Sequence, residues 1–211
     1  MQRSRSCTHL LDCRPASARR PGHGIVLASW TSSTEELDEL MHAFADESRR
    51  GDYLVCAVTV APADLDSARK ALKSLRAPRS ARIHMSHDSR RASQIIRGVV
   101  ALDLQAHLYV VDLGGRSERH ARDRALAAMA TDLDTLHVRQ LWLESCDQDR
   151  RDREVIRTAL ATSPGSGFAY RHTSPTSEPM LWVPDVLAWA WGKGGHHRKA
   201  VAGTLEVHTV R

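Results

Sequence analysis

No stretch of the chain comes near the roughly 20 consecutive apolar residues that a membrane-spanning helix needs. The arginine-rich start is not followed by the uninterrupted apolar core of a signal peptide. A cytoplasmic location without a membrane partner is therefore expected. Cysteine is sparse and scattered: Cys7, Cys13, Cys56 and Cys146 include no C-x-x-C pair of the kind that suggests a cysteine zinc site or thiol redox chemistry, and a disulfide framework is not expected. Cys56 and Cys146 read as buried thiols. No internal repeat is evident. The stretch GKGG at 192–195 lacks the preceding strand and glycine and the following Ser or Thr of a phosphate-binding loop, so ATP binding there is not expected. His196 and His197, beside Lys193 and Arg198, read as a basic tail contact.

What is present is enough for one good hydrophobic core in 211 residues. Lys and Arg outnumber Asp and Glu by 30 to 25, a formal charge of +5 that favours anionic partners without demanding nucleic acid. Much of the excess sits at the start, where Arg3, Arg5, Arg14, Arg19 and Arg20 face only Asp12. Residues 1–22 show neither helical nor strand periodicity and read as a disordered arm. A peripheral strand at 24–29 and a helical start at 34–40 follow, so residues 1–40 are taken together as a weakly ordered arm. The main domain is expected over 41–200, with a tail over 201–211.

From residue 41 the patterns sharpen. MHAFADE at 41–47 and DYLVCAVTV at 52–60 predict two strands of a hairpin linked by SRRG. Pro62 and Asp64 open a helix through ADLDSARKALKSLR. ARIHM at 81–85 predicts a short strand, and Asp88 or Ser89 a cap for a helix carrying Ile95, Ile96, Val99, Val100 and Leu102. HLYVVDL at 107–113 reads as a strand buried on both faces. A long helix follows, with Glu118 placed to pair with Arg122. Next come a strand at 138–145, a helix from DQDRRDREVIRTAL, a loop at 163–167, a strand at 168–172, and a helix at 181–192 closed by Gly192. This order argues for an α/β fold, a mixed central sheet flanked by helices.

Three acids fall where these elements end or turn inward. Asp46, with Glu47, closes the first strand, Glu144 closes a later one, and Asp185 interrupts an almost wholly apolar helix. A carboxylate in such surroundings is costly to bury unless a cation meets it. Divalent metals meet that need, and a metal pair can activate water against a phosphodiester. Each acid also has a plain structural reading: turn acids for Asp46 and Glu47, a capping or surface residue for Glu144, and a helix N-terminal acid after Pro184 for Asp185. Trp182, Trp189 and Trp191 fit core packing better than base stacking.

Four segments, FADESRRGDYLVCAVTV at 44–60, RIHM with HDSRR at 82–91, LWLES at 141–145 and EPMLWVPDVLAWAWGKGG at 178–195, together resemble domain-of-unknown-function family 3800 in its actinobacterial form. The resemblance spans roughly 41–200. It implies a ribonuclease H-like fold and a metal-dependent nuclease that uses Mg²⁺ or Mn²⁺ and takes nucleic acid as its partner. By it, Asp46, Glu144 and Asp185 stand at the catalytic and metal-binding positions, with Glu47 a neighbouring ligand. His84 could move a proton or contact the leaving group, and Arg90 and Arg91 would contact phosphate. Arg49 stands where the family often carries glycine, with Gly51 arriving later, which suggests a longer hairpin. The competing reading is a non-catalytic nucleic-acid or protein-binding module that retains the fold.

Overall fold

An unbroken apolar run of strand-forming residues fits a strand covered on both faces, and Asp52–Val60 (β2) is buried from Tyr53 through Val60. In the computed structural model, which describes residues 41–115, 117–165 and 167–211, β2 forms a hairpin with Met41–Arg50 (β1). Gly51 makes the turn at φ 86°, a left-handed conformation suited to glycine. The arm, strand and helix expected within residues 1–40, together with Cys7 and Cys13, lie outside the described residues.

Gln105–Val111 (β3) pairs antiparallel with β2, while Val138–Glu144 (β4) and then Ala169–Thr173 (β5) extend parallel from the other side of β1. Leu205–Val210 (β6) lies parallel to β3. The described residues thus form one six-stranded sheet in the order β5-β4-β1-β2-β3-β6, with β2 running against the rest. The α/β class, with a mixed central sheet flanked by helices, is the one expected.

Period-two alternation divides each strand between two apolar layers. Phe44, Leu54, Cys56 and Leu108 meet Leu65–Leu75 (α1), Ala92–Val100 (α2), Trp182–Lys193 (α5) and Gly195–Val201 (α6). Ala43, Ala45, Tyr53, Val55 and Tyr109 meet Glu118–Thr135 (α3) and Asp149–Leu160 (α4). Trp182 and Trp189 are core residues, as expected. Cys56 is buried and Cys146 half-buried, both as free thiols.

Several expectations need correction. Residues 81–85 are not a strand, although Ile83 and Met85 alternate into the core as a strand's residues would. The amides of His84 and Met85 instead donate to the carboxylates of Asp88 and Asp185, at 3.0 and 3.1 Å, so side chains take the place of a neighbouring strand. Asp88 therefore binds backward and does not cap the helix after it. Leu102 lies beyond the end of that helix. Glu118 pairs with Arg49, not Arg122. The segment expected as a tail completes α6 and supplies β6. The late helix runs past Gly192 to Lys193 and stops at Gly194.

Gly194 has φ 75° and ψ −166°, a region open essentially to glycine alone, and a Cβ there would meet no atom within 4 Å. Gly194→Ala should therefore destabilise the protein by about 1–3 kcal/mol through the backbone alone. Gly203→Ala, which is equally uncrowded but lacks the positive φ, should be neutral or slightly stabilising. Urea unfolding of the two variants side by side would refute this account if they behaved alike.

Candidate active site

The chain runs outward from β1 through β2 to β3, then crosses back to place β4 on the other flank of β1. A reversal of this kind leaves a crevice beyond the carboxyl ends of the two parallel strands. The β1–β4 ladder runs from Met41 to Ala45, with Ala45 opposite Leu143 as its last pair. The next residue on each strand is an acid, Asp46 and Glu144. The amide of Glu47, just past the fork, is taken by Asp46 Oδ1 at 2.7 Å. Asp46 is thus not at the end of its strand, as expected from the sequence, but within it, at the point where its neighbour departs.

Asp46 and Glu144 fall on the sheet face that carries Phe44 and Trp142, and α5 packs across this face with Asp185 in its first turn. All three acids line one cavity of about 370 Å³, together with His84, Ser86, Arg49 and Arg122. The side chains of Glu144 and Asp185 are 28% and 15% exposed. One oxygen of each acid is engaged. Glu144 Oε1 accepts from Arg82 at 3.1 Å, and Asp185 Oδ2 accepts from the Met85 amide and lies 3.4 Å from His84 Nδ1.

Electrostatics makes this an uneasy grouping without a cation. Burial pushes the Asp46 carboxyl well above the usual range, and the charges of Glu144 and Asp185 push it further, with Arg82 only partly opposing them. Burial also raises Asp185, against the Met85 amide, His84 and Arg82. The donors are hard carboxylate oxygens, the set that Mg²⁺ and Mn²⁺ favour.

The other expected residues are distributed differently. Glu47 lines the same cavity but alternates to the opposite face of the strand, where it pairs with Arg122 and accepts from the Tyr53 hydroxyl. His84 joins the site with both ring nitrogens engaged, since its Nε2 lies 2.7 Å from Ser86 Oγ. Arg90 and Arg91 do not line the cavity. Arg91 donates to the Leu75 carbonyl at 2.7 Å and ties α2 to the end of α1.

Behind Glu47 lies a second polar group that sequence reasoning missed. Arg122 holds Asp152 through two hydrogen bonds of 2.9 and 2.8 Å and donates to Tyr53 and to Cys146 Sγ. His172 Nε2 lies 3.3 Å from Asp152. A signal for it exists: Arg122 shares its face of α3 with Leu126 and Met129, and Asp152 shares its face of α4 with Ile156, so each charge sits in an apolar stripe. Arg82 has no comparable signal.

No protein-family profile matches the chain, and no curated protein does. Among solved structures it is similar to a chain of the PCNA:RNase HII complex from Archaeoglobus fulgidus, at 16% identity and a TM-score of 0.49, over 78% of this chain and 79% of that one. It is also similar to Bst-RNase HIII in complex with Mn²⁺, at 11% identity and a TM-score of 0.44, over 74% of this chain and 52% of that one. A point mutant of Bst-RNase HIII gives 12% identity and a TM-score of 0.43, over 81% and 63%. The chain thus spans less than two thirds of the RNase HIII chains. No helix among the described residues is long and apolar enough to cross a membrane.

Proposed function

We propose that this chain is a divalent-metal-dependent phosphodiester hydrolase of ribonuclease H-like fold acting on nucleic acid, as its resemblance to family 3800 implies. The observation that carries the reading is the meeting of Asp46, Glu144 and Asp185, from two strands and a helix, at the fork between β1 and β4. In this reading the three carboxylates hold Mg²⁺ or Mn²⁺. Such an ion, when bound, lowers the pKa of its water and offsets charge on the phosphodiester.

The chain's own groups have separate tasks. His84, fixed between Ser86 and Asp185, orients the Asp185 carboxylate. Arg82 restrains Glu144. Arg49, half-exposed on the cavity wall, is the cation best placed to meet a phosphate, in the role first expected of Arg90 and Arg91. The deciding experiment incubates the purified chain with labelled single strands, duplexes and hybrids in Mn²⁺ and, separately, titrates Mn²⁺ calorimetrically. Cleavage abolished by Asp185→Asn supports the proposal. Mn²⁺ binding without cleavage would favour the binding-module reading, and neither binding nor cleavage overturns the metal site itself.

A pH dependence follows. Asp46 and Asp185 titrate higher folded than unfolded, so the folded state binds more protons and their contribution is present below the unfolded pKa. It is lost as pH rises through the folded values. In EDTA, the urea midpoint should therefore fall between about pH 5 and about pH 8 by more than it does for Asp46→Asn. Saturating Mn²⁺ should remove that excess slope, and an identical slope in the two proteins would contradict the electrostatic account.

A further inference from the structure

At the far edge of the sheet, remote in the strand order from the β1–β4 fork, β3 and β6 run parallel with His107 opposite Glu206 and Tyr109 opposite His208. Alternation puts His107, Glu206 and His208 on one face, the face covered by α3. Their ligand atoms converge. His107 Nδ1 lies 3.4 Å from His208 Nε2 and 3.4 Å from Glu206 Oε2, and His208 Nε2 lies 3.8 Å from Glu206 Oε1. All three fall within 4.8 Å of one another, a closeness that the three acids at the fork do not reach.

These separations discriminate between two explanations. Hydrogen bonds to nitrogen or oxygen prefer about 2.7–3.2 Å, so the three contacts are long for a closed hydrogen-bonded ring. An ion bound tetrahedrally at about 2.0–2.1 Å sets neighbouring ligand atoms about 3.3–3.4 Å apart, which is the edge seen twice here. The outer contacts fit the same picture. Asp132 Oδ2, from α3, lies 3.6 Å from His208 Nδ1, on the far side of the ring from the converging Nε2. That is the carboxylate–histidine–metal order which orients a ligating imidazole. Tyr109 stacks on the His208 ring at 4.8 Å and 14° and limits its rotation. His107 is buried, and its Nε2 has no partner, so Nδ1 is the nitrogen with polar neighbours.

We propose that His107, His208 and Glu206 form a tetrahedral site for Zn²⁺ or a similar late first-row divalent ion, with Asp132 as positioning residue and the fourth position open to water. The site joins the last strand to the sheet, so metal binding stabilises the folded state. It is independent of the carboxylate site: two imidazoles and one carboxylate suit a softer ion than three carboxylates do.

Cobalt(II) is the test probe, added to the full chain and followed by visible absorption. The expected result is one equivalent bound with the intense bands of tetrahedral Co²⁺, bleached by Zn²⁺ and distinct from any weakly absorbing ion held by the carboxylates at the fork. Glu206→Gln, on an exposed side chain and thus harmless to folding, should weaken binding at least tenfold, as should His208→Gln. Asp132→Asn should weaken it about tenfold. Asp46→Asn and Asp185→Asn should leave the bands unchanged, so the two sites are judged separately. Absence of tetrahedral bands, or bands that survive both Glu206→Gln and His208→Gln, would overturn the proposal.

Discussion

Asp46→Asn should move activity and stability in opposite directions. Asparagine keeps the shape of the side chain and one carbonyl oxygen but gives up the charge, and with it the strongest incentive for a cation to enter the fork. Metal-dependent cleavage is expected to fall by on the order of a hundredfold or more. The metal-free protein, by contrast, should become more stable, because burial and the charges of Glu144 and Asp185 penalise the Asp46 carboxylate and asparagine is spared that penalty. Each kcal/mol gained raises the Tm of a domain this size by about 2–4 °C. Thermal unfolding in EDTA and turnover in Mn²⁺ measure the two effects. A variant that loses stability while losing activity would indicate that Asp46 is a structural residue, bound into the hairpin by its bond to the Glu47 amide. Stability exchanged for function in this way is characteristic of sites where like charges are gathered for a ligand.

The largest loss of stability should come from Arg122→Met. Asp152 is 0% exposed, and the Arg122 side chain 5%, so removing the guanidinium strands a carboxylate away from water. Breaking such a pair from one side costs about 3–5 kcal/mol. Arg122→Met combined with Asp152→Asn should recover part of the loss, since the double variant removes the fully buried carboxylate and leaves only the part-exposed Glu47 without its partner. The sign of the pH dependence supplies a second check. Burial would raise the Asp152 carboxyl, but hydrogen bonds from Arg122 and His172 outweigh it and hold the group below its ordinary range. A depressed folded pKa contributes stability above the unfolded pKa and loses it as pH falls through the folded value. The gap between wild type and Arg122→Met should accordingly narrow in acid. Urea titrations at neutral and acidic pH would contradict this if the gap were small at neutrality or widened on acidification.

How much of this could be read from the residues depends on whether a pattern is local. β2 and β3 announce themselves because a strand buried on both faces must be nearly continuous in apolar residues, β4 because its residues alternate, and α1 and α4 because an amphipathic stripe repeats on a helical period. ARIHM misleads because alternation into a core is a property of burial, and a segment satisfied by carboxylates alternates just as a paired one does. LEVHTV escapes notice because its polar residues, Glu206 and His208 among them, look like a solvated tail until β3 is placed beside it. At the site, Asp46, Glu144 and Asp185 are each visible as an acid in apolar company. The separation of Asp46 from Glu47 is available too, since adjacent residues on a strand face opposite ways. The partners that Glu118 and Arg91 take have a common cause. A long basic side chain reaches several turns or strands, and its partner is chosen by tertiary packing, as with Arg49 for Glu118 and the Leu75 carbonyl for Arg91.

The parting of β1 from β4 after Ala45 also bears on how the molecule behaves among its own copies. Past that point β1 continues through Arg50 in register with β2, so the flank that β4 has left is an edge lying within the sheet rather than at its border. An edge with free backbone groups invites strands from other chains. Here the segment that follows the fork is Glu47-Ser48-Arg49-Arg50, with no apolar residue among the four, and the Glu47 amide has already been taken up by Asp46. Charge on an edge is a common safeguard against intermolecular sheet growth. Glu47 and Arg49, which give the cavity part of its polar wall, therefore also guard the opening against aggregation, and replacing Arg49 with valine would weaken that protection while leaving the strand pattern intact.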